Sequence, residues 1–236
     1  MIANMRIQKS MPSLAEKILK FNKSLFIAGL PKGVEVMQPL DDKYVYSLCK
    51  KFYHQYYNDN HPRSLILAIN PGRFGAGTTG IPFTDPKKLE DICGISNTFP
   101  KKTELSADFI YAMIERYGGA QKFYSNFLFS SISPLGFIRD GKNLNYYDDK
   151  KLEQVITPFA ISCIKEQLNF GLNRNVCFCL GEGKNYAFLQ RLNNEFKFFI
   201  EIIPLSHPRF IMQYRRKRVD EYIAQYLTSF ERSSPR

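Results

Sequence analysis

The sequence predicts a single α/β domain with a mostly parallel, four-stranded, doubly wound sheet flanked by helices. Its 236 residues suit one compact domain, and 44% hydrophobic with 23% charged residues is an ordinary balance for a globular protein. Short apolar runs alternate with segments of helical periodicity, which is typical of parallel strands joined by crossover helices. We therefore expect one domain over residues 1–236, with an N-terminal helical part (1–62), a sheet core (63–230) and a tail (231–236).

The first half of the chain supplies two helices and two strands. Residues 13–21 and 41–57 each begin with a polar residue and carry apolar residues at three- and four-residue spacing, so both are predicted helices. Residues 64–70 form a β-rich apolar run, which predicts a buried strand. A Gly/Pro-rich loop follows over 71–86, and its prolines exclude a helix before about residue 84. A second apolar strand is predicted at 123–132.

The second half of the chain repeats this alternation. A long helix is predicted over 148–170, with Pro158 as a place for a kink. Residues 175–180 then form a third strand that turns directly into a helix. A fourth strand is predicted at 196–204, and a final helix over 213–230 carries a basic cluster on its first turns.

The carboxyl ends of the four strands are the expected place for a ligand. In a doubly wound sheet the ligand lies outside these ends, in the loops that follow the strands. The four loops begin at Asn70, Ser133, Gly181 and Leu205. The unusual residues of the sequence are concentrated there.

The charge of the chain is strongly positive. Its 33 Lys and Arg residues outnumber its 22 Asp and Glu residues, for a net charge of +11. Such a surplus favours a polyanionic partner, either nucleic acid or an acidic membrane surface. A basic surface that only aids solubility is the alternative that composition leaves open. The densest cluster is the continuous run Arg215, Arg216, Lys217 and Arg218.

Cysteine spacing and hydropathy exclude further classes of protein. The five cysteines are scattered and have no Cys-x-x-Cys spacing, which argues against a disulfide framework and against a four-cysteine metal site. No apolar run is long enough to span a bilayer, and the N-terminus has no secretory signal. We therefore expect an intracellular, cytoplasmic protein, and we take it to be a monomer.

Two glycine-rich segments resemble phosphate-binding loops. The segment from Gly75 to Gly80 matches G-x-G-x-x-G after a strand, but the helix and the downstream acidic residue of a dinucleotide site are not expected. A nicotinamide-dependent oxidoreductase is therefore the weakest hypothesis. The segment from Gly181 to Lys184 joins a strand to a helix, where free amides and Lys184 could hold a phosphate. A plain tight turn is an equally good interpretation.

Four residues at the strand ends suggest a site for a flat ligand. Asn70 ends an apolar strand, where its amide could orient a water molecule. Phe74 and Phe83 lie in one glycine-rich loop and could form a stacking wall. His207 follows the fourth strand and is expected at the same sheet edge as Asn70.

The segment from Asn70 to Phe83, NPGRFGAGTTGIPF, resembles the first motif of the uracil-DNA glycosylase superfamily. It fits the form N-P-G-x-F-G-x-x-x-T-G-x-P-F of the single-strand-selective monofunctional (SMUG) branch at every specified position. The later segments SPLGF, LGEGK and LSHP resemble further family segments in the right order. The resemblance implies the family fold over about residues 65–226.

The resemblance also implies a function and roles for individual residues. It implies a monofunctional DNA glycosylase that removes a deaminated base by water attack, with neither a metal nor an organic cofactor. Asn70 would orient the water, Phe83 would stack on the flipped base, and His207 would hydrogen-bond the base O2 as negative charge develops. The backbone around Gly72, Phe74 and Gly75 would shape the pocket.

Two departures from the motif bear on substrate and DNA binding. Ser131 stands where the SMUG branch reads the uracil edge with an Asn, so xanthine and hypoxanthine join uracil as candidate substrates. The segment after His207-Pro208 is RFIMQYRRKR, in which a wedge is expected at Phe210, Ile211 or Met212. Phosphate contacts are expected from the nearby basic residues Lys184, Arg209, Arg215, Arg216, Lys217 and Arg218. The alternative function is a module that binds damaged or single-stranded DNA without cleaving it.

Overall fold

The computed structural model describes residues 11–233, so the expectations for residues 1–10 and 234–236 lie outside the described residues. The strands of this part are, in chain order, β1 (Glu35–Met37), β2 (Ser64–Ala68), β3 (Phe127–Ser131), β4 (Gly136–Arg139), β5 (Lys142–Leu144), β6 (Asn173–Leu180) and β7 (Glu201–Leu205). The helices are α1 (Leu14–Ser24), α2 (Lys43–Tyr57), α3 (Ala76–Thr79), α4 (Pro86–Asp91), α5 (Leu105–Tyr117), α6 (Ala120–Asn126), α7 (Lys150–Leu168), α8 (Lys184–Phe196), α9 (Pro208–Tyr214) and α10 (Val219–Phe230).

The central sheet confirms the predicted fold class. Four strands run parallel in the order β3-β2-β6-β7, with helices packed around them. Strand β2 lies between two neighbours and is buried along its whole length, which explains its uninterrupted apolar sequence. Because the strands are parallel, the carboxyl ends of β2, β3 and β7 all meet one edge of the sheet.

The predicted helices at 13–21, 41–57 and 148–170 are confirmed as α1, α2 and α7. Helix α1 begins at a capping box in which Ser13 and Glu16 each accept a bond from the other's backbone N–H. Pro158 lies inside α7. Among residues 11–233, no helix combines the length and the apolarity that a membrane crossing needs.

Two predictions in the middle of the chain are wrong. The loop after β2 contains the one-turn helix α3, although no helix was expected there before residue 84. Gly80, at φ +73°, ends this turn in the left-handed region before the prolines are reached. Residues 123–126, predicted as the first part of a strand, belong to α6, because Phe123, Tyr124 and Phe127 suit helical as well as alternating spacing.

The predictions for the last third of the chain need similar correction. Strand β7 begins only at Glu201, because Lys197 (φ +52°) ends α8 and the side chain of Asn193 binds the backbone N–H and C=O of Phe199. The predicted helix at 213–230 is two helices, α9 and α10. They are joined by a 3-10 turn, Arg216–Arg218, so the basic cluster lies between helices. A 3-10 turn also covers Glu231–Ser233, the described part of the predicted tail.

A second, antiparallel sheet of order β1-β4-β5 was not predicted. Its β4–β5 hairpin turns at Asp140 (φ +52°) and Gly141 (φ +67°), and Asp-Gly is a strong signal for such a tight turn. This hairpin brings Asn143 and Leu144 to the carboxyl end of β2. It therefore contributes to the site described next.

Candidate active site

A cavity of about 300 Å³ opens at the carboxyl ends of β2, β3 and β7. We call it the base cavity. It brings together residues that the sequence analysis took from distant segments, namely Asn70, Gly72, Phe83, Ser131 and His207, with Arg209 and Phe210 at its edge.

The amide of Asn70 is held in a fixed orientation by backbone groups at the end of β5 and just after it. Its Nδ2 donates to the carbonyl oxygen of Leu144 (3.2 Å), and its Oδ1 accepts from the backbone N–H of Tyr146 (3.1 Å). A carbonyl oxygen has two acceptor positions, so Oδ1 keeps one for a water molecule. The side chain of Asn70 is therefore already oriented as an acceptor.

A buried tyrosine anchors the segment that holds Asn70. Tyr146 is fully buried, and its hydroxyl donates to Oδ1 of Asn185 (2.8 Å). Asn185 in turn donates to the carbonyl oxygen of Leu180, the last residue of β6 (3.0 Å). This chain of bonds ties Asn70 to two strand ends. Sequence analysis missed it, since neither Tyr146 nor Asn185 belongs to a recognisable motif.

Phe83 adopts an unfavourable backbone conformation at the cavity wall. Its φ of +54° lies in the left-handed region, which large residues occupy only where the surrounding structure demands it. The ring packs edge-on against Phe129 at a centroid distance of 5.1 Å and lies 6.4 Å from the ring of His207. The arrangement holds one aromatic ring next to the imidazole.

His207 is a neutral hydrogen-bond donor at the start of α9. Its Nδ1 accepts from the backbone N–H of Arg209 (3.1 Å), which leaves Nε2 as the protonated nitrogen. Burial, with a smaller contribution from the positive charge of Arg209, lowers the pKa of His207 to about 4. The preceding residue is also fixed, because Tyr226 donates from its hydroxyl to the Ser206 carbonyl oxygen (2.5 Å).

Ser131 ends β3 beside Ala68 of β2 and lies on the wall of the base cavity. The residue is 5% exposed, yet none of the hydrogen bonds among residues 11–233 involves its hydroxyl, and no fully buried polar atom of that part lacks a partner. Ser131 lines another cavity as well, and its hydroxyl can donate one bond and accept others.

Glu104 is a cavity residue that the sequence analysis missed. Its carboxylate lies against the loop from Asn70 to Phe83, which we call the motif loop, so closely that a Cβ on Gly75 would clash with it, and a Cβ on Gly72 would come within 3.3 Å of Oε1. Its backbone N–H donates to Asp85 (2.9 Å), which also caps α4. The contact at Gly75 favours a glycine there, because a side chain would displace the Glu104 carboxylate.

The carboxyl group of Glu104 has an unusual proton affinity. Burial raises its pKa to about 7, and the neighbouring negative charges of Asp85 and Asp108 act in the same direction. The positive charge of Arg209 opposes them. Near neutral pH this carboxyl group is therefore divided between its neutral and charged forms. No sequence signal marks it, because its burial is created by α5, α9 and the motif loop together.

Several predicted site residues lie elsewhere. Phe74 is 45% exposed and lines a neighbouring groove rather than the base cavity. Ile211 is fully buried under α9, so it is not available to insert into DNA, and the expectation of a wedge there is wrong. Met212 is half-buried and does not line the cavity. Lys184 is exposed at the first turn of α8, with its Nζ 5.6 Å from the ring centroid of Tyr147, a residue of the cavity wall.

Aromatic and basic side chains form an exposed ridge beside the cavity. Phe210 is 40% exposed, and its ring lies 5.7 Å from that of Tyr214, which is 66% exposed. The guanidinium of Arg215 lies 5.3 Å from the Phe210 ring. Arg218 pairs with Glu221, whereas Arg216 and Lys217 are exposed and form no ion pair within residues 11–233. The sequence analysis missed Tyr214, which its helical spacing from Phe210 could have indicated.

The described residues offer little for a metal ion. Between residues 11 and 233, no group of three or more His, Cys, Asp or Glu side chains is placed to hold one. The cavity wall carries the Asn70 amide, the His207 imidazole, the Ser131 hydroxyl, the Phe83 ring and the Glu104 carboxyl group, beside further amide and hydroxyl side chains.

Comparisons with known proteins agree with the motif. The sequence profile of the Uracil DNA glycosylase superfamily matches residues 54–231. Among solved structures, the crystal structure of wild-type SMUG2 from Pedobacter heparinus is similar, with 46% sequence identity and a TM-score of 0.90 over 94% of this chain and 98% of that chain. Among curated proteins, none matches the chain.

Proposed function

The chain belongs to the uracil DNA glycosylase superfamily, and we propose that it is a monofunctional glycosylase that hydrolyses the N-glycosidic bond of a deaminated base in DNA. The observation that carries this proposal is the meeting of Asn70, Phe83 and His207 in one cavity. The products would be the free base and an abasic site.

His207 would stabilise the leaving base. A base that leaves a sugar takes the bonding electrons, so negative charge develops on its carbonyl oxygen. With Nδ1 engaged by the Arg209 N–H, the Nε2–H of the neutral ring is the donor for that oxygen. Phe83, held by Phe129, would stack on the flipped base and set its height in the cavity.

Asn70 would orient the attacking water. The sugar becomes cation-like as the base departs, so the water needs placement more than deprotonation. The free acceptor position on Oδ1 suits this role, because the bond from the Tyr146 N–H already fixes the amide. A Schiff base would need a lysine, and no lysine of residues 11–233 lines the base cavity, which supports water as the nucleophile.

The preferred base is uracil, with xanthine and hypoxanthine as further substrates. An Asn at the Ser131 position could present a donor and an acceptor together to one base edge. The Ser131 hydroxyl can instead rotate to face either a donor or an acceptor on the base. A hydroxyl therefore discriminates less between a pyrimidine and a deaminated purine.

The exposed ridge would hold the DNA. Phe210, with Tyr214 behind it, suits insertion into the space that the flipped base leaves. Arg209, Arg215, Arg216, Lys217 and Lys184 supply positive charge around the cavity mouth for phosphates. We propose that the chain acts on DNA as a monomer, in the cytoplasm.

The test is base release from labelled oligonucleotides that carry one uracil, xanthine or hypoxanthine, single- or double-stranded, with alkali to cleave abasic sites. We expect cleavage by the wild type and a loss of at least about a hundredfold in Asn70→Ala and in His207→Ala. Asn126→Ala, at the exposed end of α6, is the matched control and should keep full activity. Equal activity in all three variants would contradict the assigned roles.

The alternative is a module that binds damaged or single-stranded DNA without cleaving it. The observation that favours it is the missing amide at Ser131, the position that would read the base. It predicts salt-sensitive binding with no abasic product from any of the oligonucleotides.

A further inference from the structure

A second cavity, of about 410 Å³, opens beside the base cavity, and we call it the side groove. It continues directly from the base cavity, because Glu104, Ser106, Asn143, Arg209 and Gln213 line both. Its outer part is lined by Arg73, Phe74 and Lys142. Its volume lies within the range of small-ligand sites.

Phe74 gives the side groove an exposed aromatic surface. The residue is 45% exposed, so packing in the core does not explain it. The Arg73 guanidinium lies 4.6 Å from the ring centroid, and Lys102 Nζ lies 5.8 Å from it. Arg73 is itself held, since its guanidinium donates to the Gly141 carbonyl oxygen and its backbone N–H donates to Asn143 (3.2 Å). The β4–β5 hairpin therefore keeps ring and cation in place.

The charge of the side groove suits a phosphodiester. Arg73, Lys142 and Arg209 line it, Lys102 lies beside it, and none of the four forms an ion pair within residues 11–233. Glu104 is the one carboxylate of its wall, and Arg209 lies close enough to offset part of its charge. An aromatic face surrounded by unpaired cations is the arrangement that binds single-stranded nucleic acid.

We propose that the side groove binds the nucleotide next to the flipped one, with its base stacked on Phe74 and its phosphate among Arg73, Lys142 and Arg209. This proposal rests on the proposed function, because it takes the base cavity to hold the flipped base. Phe74 can stack only on a base that has left the duplex stack. The subsite therefore favours a strand that is single or locally melted at the lesion.

The test measures binding of single-stranded oligonucleotides by fluorescence anisotropy. Each strand carries one 2′-fluoro-arabino-uridine as the lesion, because the fluorine slows hydrolysis of its glycosidic bond. One strand has normal nucleotides on both sides of the lesion. Two others replace the 5′ or the 3′ neighbour by a spacer without a base. We expect one of the two spacers to weaken wild-type binding about tenfold. Phe74→Ala should bind the normal strand about tenfold more weakly and should not respond to that spacer.

Two further variants separate stacking from structure. Phe74→Tyr keeps a flat ring and should bind within about twofold of the wild type. Phe26→Ala removes a ring that is 75% exposed and lines neither cavity, so its binding should be unchanged. The wild-type spacer comparison needs no variant and therefore stands even if Phe74→Ala fails to fold.

The proposal is overturned if neither spacer weakens binding to the wild type, or if the spacers weaken binding to Phe74→Ala as much as to the wild type. It is also overturned if no single strand binds. Base release from a strand with an ordinary uracil, measured in parallel, tests the proposed function independently of the subsite. Spacer dependence without base release would support the subsite and contradict the glycosylase. Base release without spacer dependence would do the reverse.

Discussion

Replacing Glu104 by glutamine should stabilise the protein above neutral pH. The folded chain holds the pKa of this carboxyl group at about 7, against 4.5 for the free side chain, mainly because burial disfavours the charged form. The unfolded chain therefore releases the proton at lower pH than the folded chain does. As a result, the contribution of Glu104 to the free energy of unfolding falls as pH rises from 4.5 to 7, and the loss is complete above that range.

The size of the effect follows from the two pKa values. Their difference corresponds to about 3 kcal/mol, and partial solvent access at the cavity wall reduces the expected value to about 2 kcal/mol. Glutamine keeps the shape but carries no charge, so Glu104→Gln should be about 2 kcal/mol more stable than the wild type at pH 8. Below about pH 4.5 the two proteins should be equally stable.

Urea unfolding at a series of pH values from 4.5 to 8 measures this difference directly. Glu195→Gln, on the exposed surface of α8, is the matched control and should follow the wild type at every pH. Parallel curves for the wild type and Glu104→Gln would refute the reasoning. So would a Glu104→Gln protein that is less stable than the wild type at pH 8.

The remaining predictions concern the motif loop, the imidazole of His207 and the exposed ridge. Gly75→Ala should slow base release by at least tenfold, since its Cβ would meet the Glu104 carboxylate, and an unchanged kcat/KM would contradict this. Because the pKa of His207 is lowered to about 4, its protonation should slow single-turnover base release only as the pH approaches 4. The neutral state of the imidazole would be contradicted if the wild-type rate showed an inflection near pH 6.5 that disappears in His207→Ala. The same lowering means that the contribution of His207 to stability is lost as pH falls from 6.5 towards 4, because the unfolded chain binds the proton first. Arg216→Ala and Lys217→Ala should each reduce the slope of log affinity for duplex DNA against log salt by about 0.9, and an unchanged slope would remove that side chain from the interface.

The parts of the fold that could be predicted from sequence are those in which local pattern and tertiary role agree. The run at β2 is apolar throughout because the strand is central, so its sequence and its burial carry the same information. Asn70 and His207 could be placed at one edge because parallel strands end together. The Asp140-Gly141 turn also carried a usable signal, and reading it would have predicted the hairpin.

The prediction of the inserting residue is affected by the predicted start of the last helix. With His207 as cap and Pro208 at the first position, α9 begins five residues earlier than predicted. Pro208 and Ile211, three residues apart, then face the core, and Phe210 and Tyr214, four apart, face outward. The helical period would have excluded Ile211 and added Tyr214.

Other features of the site depend on contacts that no local pattern encodes. The burial of Glu104 arises from elements that are distant in sequence, and so does its pKa of about 7. The left-handed backbone of Phe83 and the bond from Tyr146 to Asn70 likewise exist only in the folded chain. These contacts fix the orientation of the side chains that the motif supplies.

The central claim is that Asn70 places a water molecule for attack on a flipped nucleotide. Single-turnover release of uracil from a single-stranded oligonucleotide by the wild type and by Asn70→Ala, with DNA affinity measured on the same proteins, tests it most directly. The account predicts that Asn70→Ala releases uracil at least about a hundredfold more slowly while binding DNA within about threefold of the wild type. An unchanged rate in Asn70→Ala, or no uracil release by the wild type, would contradict it.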